Sequence, residues 1–303
     1  MKVETGGAIG LADWRKEGGR SHENLRRQLA RFRRNRLAVF GFVIVVLLVL
    51  VALVGPFFVP YPNDATGAVH ISERLKAPSR AHLFGTDDVG DDIFSRVVVG
   101  SRLSLGVGVL VLVIAVAIGV PLGAVAGYFG GFIDDVVMRL TDIFLTIPAL
   151  ILALAIAAAL GPSLRNAMLA LAFVWWPGFS RLTQAQFMSL RNQVYVESAR
   201  SVGAGNSRII FRHILPNTLT PIMVKISMDI GFAILTAAAL SFIGVGAQPP
   251  QPEWGAMVSL GRKFLPNWWW YSTFPGLAIF ITVFAFNMLG DGLRDVLDPR
   301  GAR

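Results

Sequence analysis

The segment that decides the fold is a polar stretch between two long apolar blocks, YVESARSVGAGNSRIIFRHILPNTLTP at residues 195–221. Helix-forming residues with a helical spacing of apolar positions occupy 196–202. Gly203 then supplies a helix-stop signal, a second short helix is predicted over 208–214, and Pro216 is expected to end it. The pattern predicts a helix-turn-helix elbow that the apolar blocks on either side hold at a membrane surface.

The composition predicts an all-α protein embedded in a bilayer. Of the 303 residues, 54% are hydrophobic and only 16% are charged, whereas soluble domains have about a quarter charged residues. The chain has no Cys, and its four His residues show no pair at ligand spacing, so neither a bound metal nor another cofactor is expected. The net charge of +9 comes largely from basic residues ahead of the first apolar block, which predicts contact with lipid headgroups and not with nucleic acid.

Six apolar segments are each long enough to cross the bilayer core, which requires about 20 residues. We predict transmembrane spans at about 37–59, 101–128, 136–160, 166–188, 218–246 and 271–290. They divide the chain into a cytoplasmic basic tail, residues 1–36, and a transmembrane domain, residues 37–303. Six crossings place both termini on the same face as the elbow, and that face carries 19 Lys and Arg residues against eight on the other. The positive-inside rule therefore predicts that the elbow and both termini are cytoplasmic.

The elbow, at about 190–217, resembles the EAA loop of the permease subunits of ABC importers. The resemblance rests on Glu197, Ala199, Gly203, Leu215 and Pro216 at the spacing of that motif, with Ser198 in place of its middle Ala. In that family the loop is a cytoplasmic coupling helix that docks on the ATP-hydrolysing subunit. The resemblance therefore implies a set of ATPase-coupling residues: Glu197, Ala199, Arg200, Gly203, Ala204, Arg208, Arg212, His213, Leu215 and Pro216.

Other stretches resemble the C-type permease subunits of dipeptide, oligopeptide and nickel importers. They are HLFGTDDVGDDIFSR at 82–96, GSRLSL at 100–105, LSFIGVG at 240–246, PEWG at 252–255 and FNMLGDGLRD at 286–295. Asp91 takes the place of the Arg that is usual in the first of these signatures. The resemblance implies the type I ABC importer permease fold in a prokaryotic plasma (inner) membrane, where one six-span chain forms half of a translocation pathway.

The resemblance also implies partners. They are a homologous second permease, two ABC ATPase subunits that use ATP and Mg²⁺, and an extracytoplasmic substrate-binding protein. The chain itself has no G-x-x-x-x-G-K-[ST] phosphate loop, so it is not expected to be an enzyme. Di- or oligopeptides are the predicted cargo, and nickel, glutathione or an oligosaccharide are alternatives.

Four aspartates in the first outward loop leave other functions open. One alternative is a Mg²⁺-dependent membrane enzyme that uses Asp87, Asp88, Asp91 and Asp92. A second is a calcium site built on the glycine turn, for which a full ligand set is lacking, and a third is an exposed turn whose Asp side chains cap the helix beginning near Asp92. For the chain as a whole, a passive channel or scaffold is a further alternative. The remaining outward acids, Asp64, Glu73 and Glu253, are predicted to be isolated from one another.

Charged residues inside the predicted spans must face protein, water or each other, because a charge in lipid costs free energy. Lys225 and Asp229 are four residues apart on one helix and are predicted to pair. Asp142 lies in the third span. Together with Trp175, these residues form the candidate translocation path.

Glycine, proline and tryptophan positions predict how the spans pack. A stripe of small residues for close helix packing consists of Gly119, Gly123 and Gly127. Pro148 is predicted to kink the third span, and the Trp-Trp-Pro sequence at 175–177 is predicted to interrupt the fourth. The WWWY sequence at 268–271 is predicted to anchor the last span at the headgroups.

Overall fold

The computed structural model of the protein describes residue 30 and residues 32–297. Within this part of the chain the regular structure is helical, and β-type pairing is limited to an isolated bridge between Thr86 and Asp92. The prediction of an all-α protein is confirmed there. Most of the predicted basic tail, residues 1–29 and 31, and the end of the chain, residues 298–303, lie outside the described residues.

Nine α-helices in the described part of the chain carry the fold. They are α1 (Arg36–Val54), α2 (Ile93–Phe129), α3 (Gly131–Thr146), α4 (Ala149–Leu160), α5 (Leu164–Leu190), α6 (Val194–Ser201), α7 (Asn206–Ile243), α8 (Trp254–Gly261) and α9 (Trp270–Leu297). Within α7, the segment Ile209–Ile214 is π-helical. Short 3₁₀ turns occur at Gly55–Phe57, Pro62–Ala65, Ile71–Glu73 and Arg262–Phe264.

Four of these helices, α1, α2, α7 and α9, are long and apolar enough to cross a membrane. A fifth crossing is formed if α3 and α4 count as one bent span. α5 is 27 residues long but is not among them, and its C-terminal half carries Arg181 and several Gln and Ser residues. The count of six spans therefore stays a prediction.

The third predicted span, 136–160, consists of two helices instead of one kinked helix. α3 and α4 meet at an angle of 89°. Between them, Ile147 has the extended dihedrals φ −90° and ψ 130°, because the ring of Pro148 disfavours the helical conformation in the residue before it. The expected kink at Pro148 is therefore a complete break.

Two breaks that were expected from proline do not occur. α5 continues through the Trp-Trp-Pro sequence at 175–177, so the predicted interruption of this span is wrong. α7 continues through Pro216, so the second arm of the elbow and the fifth predicted span form one helix from Asn206 onward. Pro216 follows the π-helical segment, whose wider turns accommodate a residue that has no amide hydrogen. At Pro177, which is buried, the packing of α5 against α2 holds the backbone in place.

α2, α5 and α7 form the centre of the protein. A Cβ atom added at Gly119, Gly123 or Gly127 of α2 would lie 2.4, 2.2 or 2.5 Å from a carbonyl oxygen of α5. The two backbones are therefore in direct contact, and the predicted close packing along this stripe is confirmed. Buried side chains such as Leu171 and Leu240 continue the core between the three helices.

α1 lies at the edge of the bundle and packs along α9, where Gly41 faces Ala285. Arg102 of α2 donates hydrogen bonds to the carbonyls of Ala52 at 2.6 Å and Leu53 at 2.7 Å. These carbonyls belong to the last turn of α1, where a cation interacts favourably with the helix dipole. Arg102 therefore joins the C-terminal end of α1 to the N-terminal part of α2.

The WWWY sequence at 268–271 packs mainly inside the protein. Trp270 and Tyr271 are buried, and the Trp270 indole donates to the Thr86 carbonyl at 3.2 Å. Trp269 is exposed. The predicted headgroup anchoring is therefore wrong for Trp270 and Tyr271, which instead connect the start of α9 to the loop between α1 and α2.

Candidate functional site

The elbow consists of α6, a glycine turn and the first residues of α7. Gly203 has a φ of +80°, a left-handed conformation that glycine adopts without strain. Its amide donates to the Arg200 carbonyl at 2.9 Å, and the Ala204 amide donates to the Ala199 carbonyl at 3.0 Å. These two bonds form a Schellman cap, so the predicted helix stop at Gly203 is confirmed.

The inner face of the elbow packs against the ends of α2 and α5. Val196 on α6 and Ile209 and Ile214 on α7 are fully buried against Phe187 of α5 and Tyr128 of α2. The apolar surface removed from water here stabilises the elbow in one position relative to these long helices.

Polar contacts reinforce this packing. The Tyr128 hydroxyl donates to Asn206 Oδ1 at 2.8 Å, and the Arg200 guanidinium lies 5.7 Å from the centre of the Tyr128 ring. Arg191, just after α5, donates to the Gly127 carbonyl at 3.0 Å. The elbow is thus bonded to α2 and continuous with α7, so a displacement of the elbow acts on both helices.

The predicted coupling residues lie on both faces of the elbow. Ala199 is buried, and Ala204, His213 and Leu215 are half-buried. The exposed members are Glu197, Arg200, Gly203, Arg208, Arg212 and Pro216. Because three of these are arginines and one is a glutamate, the exposed face carries a net positive charge.

Two exposed apolar residues of the elbow were not among the predicted coupling residues. Val202 is 85% exposed and Phe211 is 66% exposed. Their signal in the sequence is an apolar residue inside an otherwise polar segment. We call Glu197, Arg200, Val202, Arg208, Phe211 and Arg212 the elbow surface, and exposed apolar residues rimmed by charge are typical of protein docking sites.

A second polar cluster joins α5 and α7. Lys225 Nζ lies 2.9 Å from Asp229 Oδ2, and Trp175 Nε1 donates to the same oxygen at 3.1 Å. The Lys225 ammonium also lies 5.1 Å from the centre of the Phe179 ring. The predicted pairing of Lys225 with Asp229 is confirmed, and Trp175 joins it.

Lys225 and Asp229 line an open cavity of about 700 Å³ between α5, α7 and α9. Other polar residues on its wall are Gln186, Asn217, Thr220 and Arg294. Asp142 does not line this cavity. It pairs with Arg181, and both side chains are about half exposed. The structure therefore brings three of the four candidate path residues together and separates the fourth.

Three of the four aspartates in the loop between α1 and α2 are buried and Asp88 is half-buried, so the predicted exposed turn is wrong. Asp87, Asp91 and Asp92 are each at most 2% exposed. Asp92 Oδ2 accepts the Ser95 amide at 2.8 Å, which confirms the predicted cap of α2. The buried position follows from Arg96, which lies one turn into α2 and contacts Asp87 and Asp91.

Asp64 also belongs to this cluster, a contact that the sequence did not predict. Its Oδ2 accepts the Asp92 amide at 2.7 Å, across 28 residues of sequence. Burial raises the pKa of Asp87. Burial and the neighbouring Asp87 charge raise the pKa of Asp91 to about 6, and the Arg96 charge opposes this shift.

The helical fold and the elbow define a membrane subunit of a transporter, and comparison with known proteins identifies its family. Residues 119–303 match the model described as binding-protein-dependent transport system inner membrane component. Residues 24–78 match the N-terminal transmembrane domain of oligopeptide transport permease C. The chain belongs to the family of inner membrane components of binding-protein-dependent transport systems.

Curated relatives cover nearly the whole chain. The dipeptide transport system permease protein DppC of Alkalihalophilus pseudofirmus is 46% identical over 91% of this chain and 90% of the relative. The probable D,D-dipeptide transport system permease protein DdpC of Escherichia coli K12 is 49% identical over 87% and 88%. The glutathione transport system permease protein GsiD of Pectobacterium atrosepticum is 44% identical over 89% of each chain.

A solved structure supports the fold. An inward-facing form of the MetNI methionine ABC transporter aligns with 67% of this chain and 97% of the matched chain, with a TM-score of 0.54 and 19% identity. The predicted ABC importer permease fold and the peptide-transporter branch are confirmed. The protein is a multi-pass membrane transport component and not an enzyme.

Proposed function

We propose that this chain forms half of the translocation pathway of a peptide importer. The other half is a homologous second permease. Two ABC ATPase subunits, which use Mg²⁺, supply energy by hydrolysing ATP, and an extracytoplasmic binding protein delivers the cargo. Di- or oligopeptides are the proposed cargo, because similar permeases are named for dipeptides and for glutathione, which is itself a tripeptide.

The elbow surface is the observation that carries this proposal, and its proposed role is to dock on an ATPase subunit. Val202 and Phe211 supply an apolar centre, and the exposed arginines at 200, 208 and 212 supply positive charge around it. The coupling set includes these arginines, Glu197, Ala199, Gly203, Ala204, His213, Leu215 and Pro216. Because the elbow packs on α2 and is continuous with α7, closure of the ATPases moves these helices and switches the permease between its two states.

The proposed path includes Trp175, Lys225 and Asp229 at the cavity between α5, α7 and α9, with Asp142 as a fourth member. A zwitterionic peptide carries one charge of each sign at its termini, and Lys225 and Asp229 offer the complementary pair.

Residues 1–36 are proposed to be a cytoplasmic tail, and residues 37–303 the permease domain, with both termini in the cytoplasm.

Single-cysteine labelling tests the coupling surface, because the natural chain contains no Cys and therefore gives no background. The Val202→Cys variant places a thiol on the elbow surface. In cells it is expected to react with a membrane-impermeant maleimide only after permeabilisation, and to crosslink to an ATPase subunit. Labelling of Val202→Cys in intact cells, or no crosslink to any ATPase, would contradict the proposal.

Val69→Cys is the matched control, since Val69 is 60% exposed in the first outward loop. This variant is expected to be labelled in intact cells and to form no crosslink with an ATPase.

Uptake of labelled di- and tripeptides tests the cargo separately. Competition by Ni²⁺ or by oligosaccharides but not by peptides would reassign the cargo while leaving the coupling role intact.

A further inference from the structure

The outward loop contains a buried excess of negative charge. Asp64, Asp87 and Asp91 are each at most 2% exposed, and Arg96, 4% exposed, is the guanidinium that contacts Asp87 and Asp91. In the described part of the chain, these three carboxylates and one guanidinium leave two uncompensated negative charges. Buried charges are normally paired or bound to a metal, because desolvation of an unpaired charge costs free energy.

Neighbouring groups do not remove this excess. The Asp92 carboxylate has its own hydrogen-bond partners outside this group of three. His82 Nδ1 lies 3.0 Å from its Oδ1, and its Oδ2 accepts the Ser95 amide. Asp88 accepts the Tyr271 hydroxyl at 2.8 Å. His70 lies beside Asp64 and compensates a charge only when it is protonated. With a neutral His70, the two extra charges stay with Asp64, Asp87 and Asp91.

One carboxylate oxygen of Asp91 gives a second, independent indication of a ligand site. Asp91 is fully buried, and Arg96 donates to its Oδ2, but its Oδ1 has no hydrogen-bond partner among the described residues. A buried acceptor without a partner costs about 1–3 kcal/mol or more when charged. Such an oxygen is normally satisfied by a proton, a water molecule or a cation.

We propose that Asp64, His70 and Asp91 bind a divalent transition-metal cation. One ligand-type atom of each residue lies within 4.8 Å of those of the other two, and His70 Nε2 already lies 3.2 Å from Asp64 Oδ1. Ligands of one tetrahedral Zn²⁺ ion lie about 3.4 Å apart at bond lengths of about 2.0–2.1 Å. The His70 side chain is 48% exposed, so it is free to make the small approach that this geometry needs.

The ligand set selects the class of cation. One imidazole and two carboxylates suit Zn²⁺ or Mn²⁺, whereas Ca²⁺ takes six to eight oxygen ligands. A divalent charge also cancels the two excess negative charges of the cluster. The bound ion would tie the 3₁₀ turn Pro62–Ala65, the segment around His70 and the turn before α2 into one unit.

The test measures Zn²⁺ binding to the full chain, purified with its partner subunits in detergent, freed of affinity tags and stripped with EDTA. Isothermal titration is expected to show one saturable site per permease chain, and added Zn²⁺ is expected to raise the thermal unfolding midpoint. The His70→Ala and Asp91→Asn variants are expected to bind Zn²⁺ at least about tenfold more weakly. His70→Ala keeps the test decisive if Asp91→Asn fails to fold, because the His70 side chain is half exposed.

Glu73→Gln is the matched control. It removes a carboxylate from the same loop, where Glu73 contacts Lys76 and not the three proposed ligands. This variant is expected to bind Zn²⁺ like the natural protein. Three results would overturn the proposal: no saturable Zn²⁺ site in the natural protein, equal loss of binding in Glu73→Gln and His70→Ala, or tighter binding of Ca²⁺ than of Zn²⁺.

Discussion

The Tyr128 hydroxyl, at the end of α2, donates a 2.8 Å hydrogen bond to Oδ1 of Asn206, the first residue of α7. The two residues are 78 positions apart in the sequence. Their contact joins the glycine-lined helix at the centre of the bundle to the elbow. The elbow is thus held through its own helix and through a side-chain bond to a second helix.

Removal of this hydrogen bond should weaken coupling more than folding. Tyr128→Phe keeps the ring that packs in the elbow and faces Arg200, so the free energy of unfolding should fall by only about 1 kcal/mol. In proteoliposomes, uptake per ATP hydrolysed should fall. Asn206→Asp keeps an acceptor for Tyr128 and should retain coupling, and equal losses in both variants would contradict this role of the hydrogen bond.

A side chain at Gly203 should destabilise the elbow through backbone strain alone. At either Gly203 or Gly205 a Cβ atom would meet no atom of the described residues within 4 Å, but Gly203 has φ +80° and Gly205 has φ −69°. Gly203→Ala should therefore cost about 1–2 kcal/mol and reduce uptake, while Gly205→Ala, which loses only the N-cap preference of glycine over alanine, should cost less. Thermal unfolding and uptake of the two variants measure this difference, and equal effects would show that strain is not the cause.

Adding even one methyl group at the glycine stripe should destabilise the protein. At Gly123 an added Cβ would lie 2.2 Å from the Ser180 carbonyl oxygen, so Gly123→Ala must push α2 and α5 apart and should cost about 1–3 kcal/mol. A Cβ atom added at Gly106 on the same helix would have no atom of the described residues within 4 Å, so Gly106→Ala should be neutral or stabilising. Unfolding in detergent compares them. A Gly123→Ala variant as stable as Gly106→Ala would contradict the direct backbone contact.

The charge of Asp229 should matter for transport beyond its role in packing. Asp229→Asn keeps an acceptor for Trp175 but leaves Lys225 without its anionic partner, so uptake should fall while the protein remains in the membrane. The double variant Lys225→Met with Asp229→Asn leaves no unpaired charge and should regain stability without regaining uptake. Recovery of uptake in the double variant would assign the pair a structural role only.

Glu253 should make stability depend on pH. Its carboxylate is 3% exposed and accepts the Gly255 and Ala256 amides at the start of α8. Burial raises its pKa above the usual 4.5, although these amide bonds oppose the shift. The folded state therefore binds the proton more tightly than the unfolded state, and stability falls as pH rises from about 4.5 through the folded-state pKa.

Glu253→Gln removes this titration. Relative to the variant, the natural protein should lose stability as the pH rises through that window, and the difference should level off above it. Thermal unfolding midpoints of both proteins, measured in detergent between pH 4 and 8, give this difference. A difference that is independent of pH would mean that burial does not raise the pKa of Glu253.

The residues that local chemistry controls were predictable from the sequence. The cap at Asp92, the stop at Gly203 and the pairing of Lys225 with Asp229 each depend on residues within a few positions of one another. The consequences of proline were less predictable. Pro148 breaks the chain fully, whereas Pro177 and Pro216 lie inside continuous helices. Pro177 is buried among neighbouring helices and Pro216 is exposed after a π-helical segment, so the tolerance of each proline depends on its surroundings.

The sequence by itself determined that this chain is helical, lies in a membrane and carries a polar elbow, because hydrophobic runs, glycine stops and charge distribution act locally. Only the tertiary structure decided that Asp64 joins Asp91, that Tyr128 bonds Asn206 and that Trp270 is buried. These contacts join segments far apart in the chain. Which distant surfaces meet depends on how whole helices pack, and local patterns carry no information about that choice.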